Sequence, residues 1–277
     1  MMIAAAPPYA ASLDFSLADR LPARAIGRAR LRIGAGPLAG PPGLLLLPGA
    51  YHGAWCYAHF LDYFARHGVG CAALDYAGHG GLPQDASYAR LTVEDLAADA
   101  VAALDAWAAP AVVVGHSMGA LPAMLAASRR PVAGVVLMAP SPPGDLPGAQ
   151  ALPPVPPDTP RRPPGRGEIQ ARFLAAPRDR DVSAVEARLC AESPAVLNDR
   201  YLLRVPVPAD AVRAPGLCLE AGLDTHDRHP PGQDAAIARR FGFDHAVLPR
   251  QPHCMMYSDQ WEESAAAILA WLRGRFR

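Results

Sequence analysis

Hydrophobic residues in this chain gather in short, mostly apolar runs, over residues 44–47, 69–74, 111–114, 132–139 and 217–221, with a further strand expected over 243–248. Continuous runs of that length, bounded by Gly, Pro or Asp, are the pattern of strands buried on both faces. Between them the spacing turns helical. Thr92 followed by Asp95 predicts a capped start, and Val93, Leu96, Ala97, Ala100, Val101 and Leu104 continue at the period of one helix face. Further helices are expected over residues 55–67, after residue 119, over 234–241 and over 258–272, and an alternating edge strand over 29–33. Strands that alternate with helices predict an α/β fold with a mostly parallel central sheet and helices on both faces.

The pattern breaks once. Of the 31 prolines, 15 fall between Pro140 and Pro208, and a stretch so rich in proline cannot supply central strands. The expected organisation is therefore a core over 29–139 and 213–277, interrupted by a Pro-rich cap over 140–212. Within the cap, helical patches are expected over 168–176 and 183–190. Residues 1–28, rich in Ala and Pro, are expected to form an arm that packs loosely or not at all.

Composition changes this picture little. A chain of 277 residues with 51% hydrophobic residues supports one large domain with an insertion. Formal net charge is zero and every basic residue is arginine, so neither nucleic acid nor an anionic membrane is an expected partner. Five scattered cysteines without a Cys-x-x-Cys pair point to neither a disulfide framework nor a zinc site. Pro7 and Pro8 interrupt the N-terminal apolar stretch, and no segment has the length of a membrane span. A cytoplasmic protein acting on a small molecule is the expectation.

The candidate chemistry begins at residues 111–120, Ala-Val-Val-Val-Gly-His-Ser-Met-Gly-Ala. A β-branched run that breaks into Gly-x-Ser-x-Gly and then into Ala-rich sequence predicts strand, sharp turn and helix, with the Ser117 hydroxyl exposed at the turn. The helix that follows aims its unpaired N–H groups at the same place, where they steady a developing oxyanion. A serine hydroxyl needs a base, and the base needs a carboxylate to hold its tautomer. Past residue 221 come Asp224 and Asp227, and past residue 248 comes His253, both after predicted strands.

With those residues in place, the run from about Leu44 to the C-terminus resembles the α/β-hydrolase superfamily. Residues 48–55, Pro-Gly-Ala-Tyr-His-Gly-Ala-Trp, are similar to the oxyanion loop of its esterase and hydroxynitrile lyase branch. The resemblance implies oxyanion donors at the N–H groups of Ala50 and Met118, and catalytic roles for Ser117, His253 and an acid. Asp224, just past the strand, fits the acid's place better than Asp227, although Pro230 and Pro231 follow Asp227 as prolines often follow the family's acid. Two departures stand out: Pro48 where the family usually has histidine, and Pro252 where it commonly has glycine. Pro252 restricts the backbone of Gln251.

The implied activity is hydrolysis of a carboxylic ester or related acyl compound through an acyl-enzyme, with no metal or organic cofactor. Thioesters, lactones and carbon–carbon bonds are alternatives that use the same residues, and a non-catalytic ligand-binding relative is the alternative of another class. The related lyases carry a lysine beside the catalytic histidine, where this chain has Cys254. His116, His52 and His79 are read as structural, Trp55 and Cys254 as buried, and the arginines at 161, 162, 166 and 172 as solvated surface charge.

Overall fold

The structure is a computed structural model that describes residues 11–38 and 40–276. In chain order its main elements are α1 (Ser16–Arg20), β1 (Ala23–Ile26), β2 (Ala29–Ala35), β3 (Gly43–Leu47), α2 (Ala58–Arg66), β4 (Cys71–Asp75), α3 (Val93–Trp107), β5 (Ala111–His116), α4 (Ala120–Arg129) and β6 (Gly134–Met138). After these come α5 (Arg166–Glu168), α6 (Ser183–Glu186), α7 (Pro194–Tyr201), β7 (Gly216–Ala221), α8 (Gln233–Phe241), β8 (Asp244–Leu248) and α9 (Trp261–Arg275).

Among the described residues eight strands form one sheet in the order β1-β2-β4-β3-β5-β6-β7-β8. The pairs from β4 to β8 are parallel, whereas β1 with β2 and β2 with β4 are antiparallel. Alternation along each strand sorts side chains between two cores. Leu45, Leu47 and Val113 pack with α3, α4 and α8, while Leu44, Leu46, Val112 and Val114 pack with α1, α2 and α9. Strands flanked in this way are apolar throughout, which is why they read as runs in the sequence.

The capping box at the start of α3 forms as expected: the Thr92 side chain accepts from the Asp95 N–H, and the Asp95 carboxylate accepts from the Thr92 N–H. Two expectations need correction, and one helix was not expected. The edges of the sheet are β1 and β8, and the strand over 29–33 is internal, because 23–26 folds back on β2. The arm expected over 1–28 packs on the core through Phe15, which is 2% exposed and meets Trp55 edge-on at 4.8 Å, and through the buried Ala18. Its first ten residues lie outside the described residues. Between β6 and β7, α7 is a helix that the proline texture concealed, with Ser193 as its N-cap and Pro194 in its first turn.

A parallel sheet brings the ends of β3, β5, β7 and β8 to one edge, the side on which open α/β sheets present their ligands. Registers Leu47↔Gly115 and Ala221↔Leu248 bring the loops after residues 47, 116, 221 and 248 together there. The segment joining β6 to β7 lies over that edge and supplies part of the wall of the cavity that opens on it.

Candidate active site

Ser117 follows β5 without a spacer and opens a single tight turn into α4. Its φ is +51°, a left-handed conformation that costs a residue with a side chain about 1–2 kcal/mol. The surroundings impose it. A Cβ on Gly115 would lie 2.5 Å from the Gly119 carbonyl oxygen, and one on Gly119 would lie 2.4 Å from that of Pro48. Only glycine on both sides allows strand, turn and oxyanion loop to approach so closely.

His253 stands in the loop after β8, with Nε2 2.9 Å from the Ser117 Oγ and Nδ1 2.6 Å from Asp224 Oδ2. A carboxylate only accepts, so Nδ1 carries the proton and donates it to Asp224, leaving the Nε2 lone pair for the serine O–H. Asp224 also accepts the Thr225 N–H at 2.7 Å. Burial pushes the Asp224 carboxyl up, but the charge and hydrogen bond of His253, with His229 and Thr225, outweigh burial and hold it at about 2. Asp227 is placed elsewhere: its side chain is 66% exposed and faces Arg172 at 3.8 Å.

The loop bearing His253 is anchored on both sides. Gln251, fully buried beside Pro252, donates from Nε2 to the Gln260 carbonyl at 2.6 Å and accepts from the Ser258 hydroxyl at 2.7 Å. On the other side, His116 Nε2 donates to the His253 carbonyl at 2.9 Å. Burial, then the neighbouring His253 and His52, hold His116 neutral, well below the usual histidine range. The contact of His116, read from the sequence as structural, is with the backbone of His253, and the residue also borders the cavity. Cys254 is fully buried, which pushes its thiol far up.

The oxyanion-loop candidate is gripped at one peptide. His52 Nδ1 donates to the Ala50 carbonyl at 2.7 Å, and the Tyr51 N–H of the same peptide donates to Glu192 Oε2 at 2.8 Å. Tyr51 has φ +68°, so this grip holds a strained residue. Glu192 itself is fully buried against His79, whose Nε2 lies 3.1 Å from the carboxylate and whose Nδ1 faces the Ala77 carbonyl at 3.0 Å. Acceptors at both nitrogens make His79 a doubly protonated ring. Burial opposes that charge, but Glu192 outweighs it and raises the histidine. Glu192 has no motif around it and was not legible beforehand.

Ala50, Met118, Ser117, His253 and Asp224 all border one cavity of about 640 Å³. Its far wall comes from the β6–β7 segment, including Pro153, Val155, Arg161, Arg162, Phe173 and Arg200. Three of the four arginines read as surface charge, Arg161, Arg162 and Arg172, border this cavity; Arg166 instead pairs with Glu186 on the surface at 2.8 Å.

Asp224, His229 and His253 offer three potential metal-ligand atoms within 4.8 Å of one another. The 2.6 Å between His253 Nδ1 and Asp224 Oδ2 is a charge-assisted hydrogen bond. Two ligands that share one ion at bond lengths of about 2.1 Å stand farther apart, so the arrangement is that of a proton donor and its acceptor.

The profile of the alpha/beta hydrolase family matches residues 44–267. Among solved structures, the chain is similar to a thermophilic esterase from Thermogutta terrifontis at 21% identity and TM-score 0.68, over 90% of this chain and 95% of that one. It is similar to the enol-lactonase from Burkholderia xenovorans at 16% identity and TM-score 0.64, over 91% of this chain and 100% of that one. An N-acyl homoserine lactone degrading enzyme aligns at 16% identity and TM-score 0.65, over 90% and 99%. At these identities the likeness is one of fold. No curated protein sequence matches. Among the described residues no helix is long and apolar enough to cross a membrane.

Proposed function

This chain belongs to the alpha/beta hydrolase family, as an enzyme of that fold, and from that premise we propose that it cleaves a carboxylic ester or related acyl compound through a covalent acyl-serine. The observation that carries the reading is the unbroken hydrogen-bond chain from Ser117 Oγ through His253 to Asp224.

Ser117 attacks the acyl carbon as His253 Nε2 takes its proton, forming the serine–carbon bond and a tetrahedral oxyanion. The N–H groups of Ala50 and Met118 receive that oxyanion, with Ala50 steadied by His52 and Glu192 through the next peptide. Collapse expels the alcohol, which takes the proton from His253. Water then adds to the acyl-serine with His253 again as base, and the acid product leaves while Ser117 regains its proton. Asp224 keeps His253 in the required tautomer and stabilises the imidazolium; the low value at which Asp224 titrates keeps it ionised throughout.

The β6–β7 segment, residues 140–212, is the proposed cap, since it walls the cavity without supplying a member of the hydrogen-bond chain. A small-molecule substrate fits a cavity of about 640 Å³. Lactones, thioesters and carbon–carbon bonds place the same demand on Ser117 and His253, so product analysis separates them. The reading is tested with a short chromogenic ester: turnover by the wild-type protein, lowered by about four to six orders of magnitude in Ser117→Ala, is the expected result. Unchanged turnover in that variant contradicts it.

A further inference from the structure

The cavity over Ser117 holds more cationic than anionic side chains, and one of the cations is buried without a partner. Arg200 is 6% exposed and borders the cavity. Its Nη1 is buried without a hydrogen-bond partner, and none of its nitrogens pairs with a carboxylate among the described residues. Burying a charged donor unpaired is costly, and a buried unsatisfied group calls for an explanation, of which a bound ion or ligand is one.

The neighbourhood deepens the imbalance. Arg228 borders the same cavity, held by the Tyr201 hydroxyl, which accepts from its Nη1 at 2.6 Å, and by the face of the Tyr201 ring at 5.2 Å. Those contacts fix its position without neutralising it. The acids on the wall are already engaged: Glu168 with Arg172 at 3.0 Å, Asp227 with the same arginine at 3.8 Å, and Asp224 with His253; Glu168 and Asp227 also attract Arg228, but neither forms an ion pair with it. Burial, with repulsion from Arg228, lowers Arg200 to about 10. An anion bound by both arginines would offset that repulsion.

We propose that the substrate is an acyl compound carrying a carboxylate remote from the scissile bond, and that Arg200 and Arg228 bind this carboxylate. This rests on the hydrolase reading and names its substrate class. Guanidinium groups present planar pairs of N–H donors that match a carboxylate, and a cavity with Pro153, Val155 and Phe173 on its wall accommodates the apolar carbons in between. α7 serves as the carrier: Ser193 caps it and is tied to the Leu91 carbonyl at 2.6 Å, so Arg200 projects from a helix anchored to the core.

The test compares p-nitrophenyl hemiglutarate with p-nitrophenyl valerate, which have similar acyl lengths and differ in the terminal charge. The wild-type protein should favour the hemiglutarate in kcat/KM by about tenfold or more, the scale of one charge-assisted bidentate contact. Arg200→Gln and Arg228→Gln should each lower that ratio by about tenfold. Arg166→Gln, outside the cavity, should leave it unchanged. Hydrolysis of valerate with no preference for hemiglutarate overturns the carboxylate site while leaving the hydrolase intact.

If neither ester is cleaved, the hydrolase reading fails and the site is read by calorimetry of glutarate binding. Saturable binding that weakens in Arg228→Gln supports it, and no saturable binding overturns it. The same titration with inorganic phosphate distinguishes a carboxylate site from a general anion site. Phosphate binding as tightly as glutarate contradicts the proposal. Arg228→Gln, at a half-buried position, keeps the test decisive if Arg200→Gln does not fold.

Discussion

Glu192 accepts the backbone N–H of Tyr51 at 2.8 Å, across 141 residues of sequence. Its other contacts are also donors: the Ser193 N–H at 2.9 Å on Oε1, and His79 Nε2 at 3.1 Å. The return contact, from the Cys190 N–H to the Tyr51 carbonyl at 3.0 Å, closes a clamp between the β6–β7 segment and the loop after β3. This makes the position of the proposed Ala50 donor a property of the insertion as well as of the core.

Glu192→Gln replaces one accepting oxygen by an N–H₂ group among three donors, so at least one donor is left facing another. The Ala50–Tyr51 peptide should shift, and kcat should fall by about tenfold to hundredfold with KM nearly constant, as for a misplaced transition-state contact. Steady-state kinetics on a neutral ester read this directly. A rise in KM at constant kcat would assign Glu192 to substrate binding instead.

Replacing the acid should separate two neighbours in the same loop. Asp224→Asn leaves the fold intact but removes the acceptor that holds the His253 tautomer, and kcat should drop by around 10⁴. Asp227→Asn, at a side chain 66% exposed, should stay within about tenfold of the wild type. The opposite ranking contradicts the assignment.

Gly119→Ala tests the turn itself. The added Cβ would sit 2.4 Å from the Pro48 carbonyl oxygen and 2.7 Å from that of Leu47, both backbone atoms that cannot rotate away. A loss of about 2–4 kcal/mol in urea unfolding is expected, in the range of steric and backbone defects, together with loss of the proposed ester hydrolysis. A stable and active variant would show that the approach of turn and loop is looser than described.

Acid should weaken the fold through the histidines around the site. Burial is the main reason that His52 titrates near 4, against an ordinary value of 6.5, and His116 lies well below that value too. Between the folded and ordinary values the unfolded chain binds more protons. Stability from these groups is therefore complete above about pH 6.5 and declines as pH falls toward about 4, by up to about 1.4 kcal/mol per pH unit for each group. His79, raised by Glu192 despite its burial, runs the other way, and its contribution is lost only as pH rises through its raised value. Urea midpoints at pH 7.5 and 5 should differ less in His52→Asn than in the wild type; equal differences would show that His52 does not titrate in this way.

The core was legible in the sequence because strands covered on both faces must be apolar throughout, as in residues 44–47 and 111–114, and because the Thr92–Asp95 capping box is a local device. That Ser117, Asp224 and His253 meet was legible for a related reason: each follows a strand end, and the parallel sheet alone determines that those ends come together. The strand β1 was missed because three of its four residues are exposed, which leaves no apolar period. Ser193-Pro194 is a helix-start signal for α7 that the surrounding prolines masked. Glu192 and Arg200 lacked a signal altogether. Glu192 meets Tyr51 and His79, each more than a hundred positions away, and a charged residue in a Pro-rich stretch reads as solvated until the fold buries it, as it does Arg200.

The central claim is that the hydroxyl of Ser117 forms a covalent bond to the acyl group. Incubation with a serine-directed fluorophosphonate, followed by intact-mass measurement and peptide mapping, tests it most directly. One added phosphonyl group on the peptide containing Ser117, absent from Ser117→Ala and strongly slowed in a folded His253→Ala, is the predicted result. Stoichiometric labelling that persists in Ser117→Ala would contradict the account.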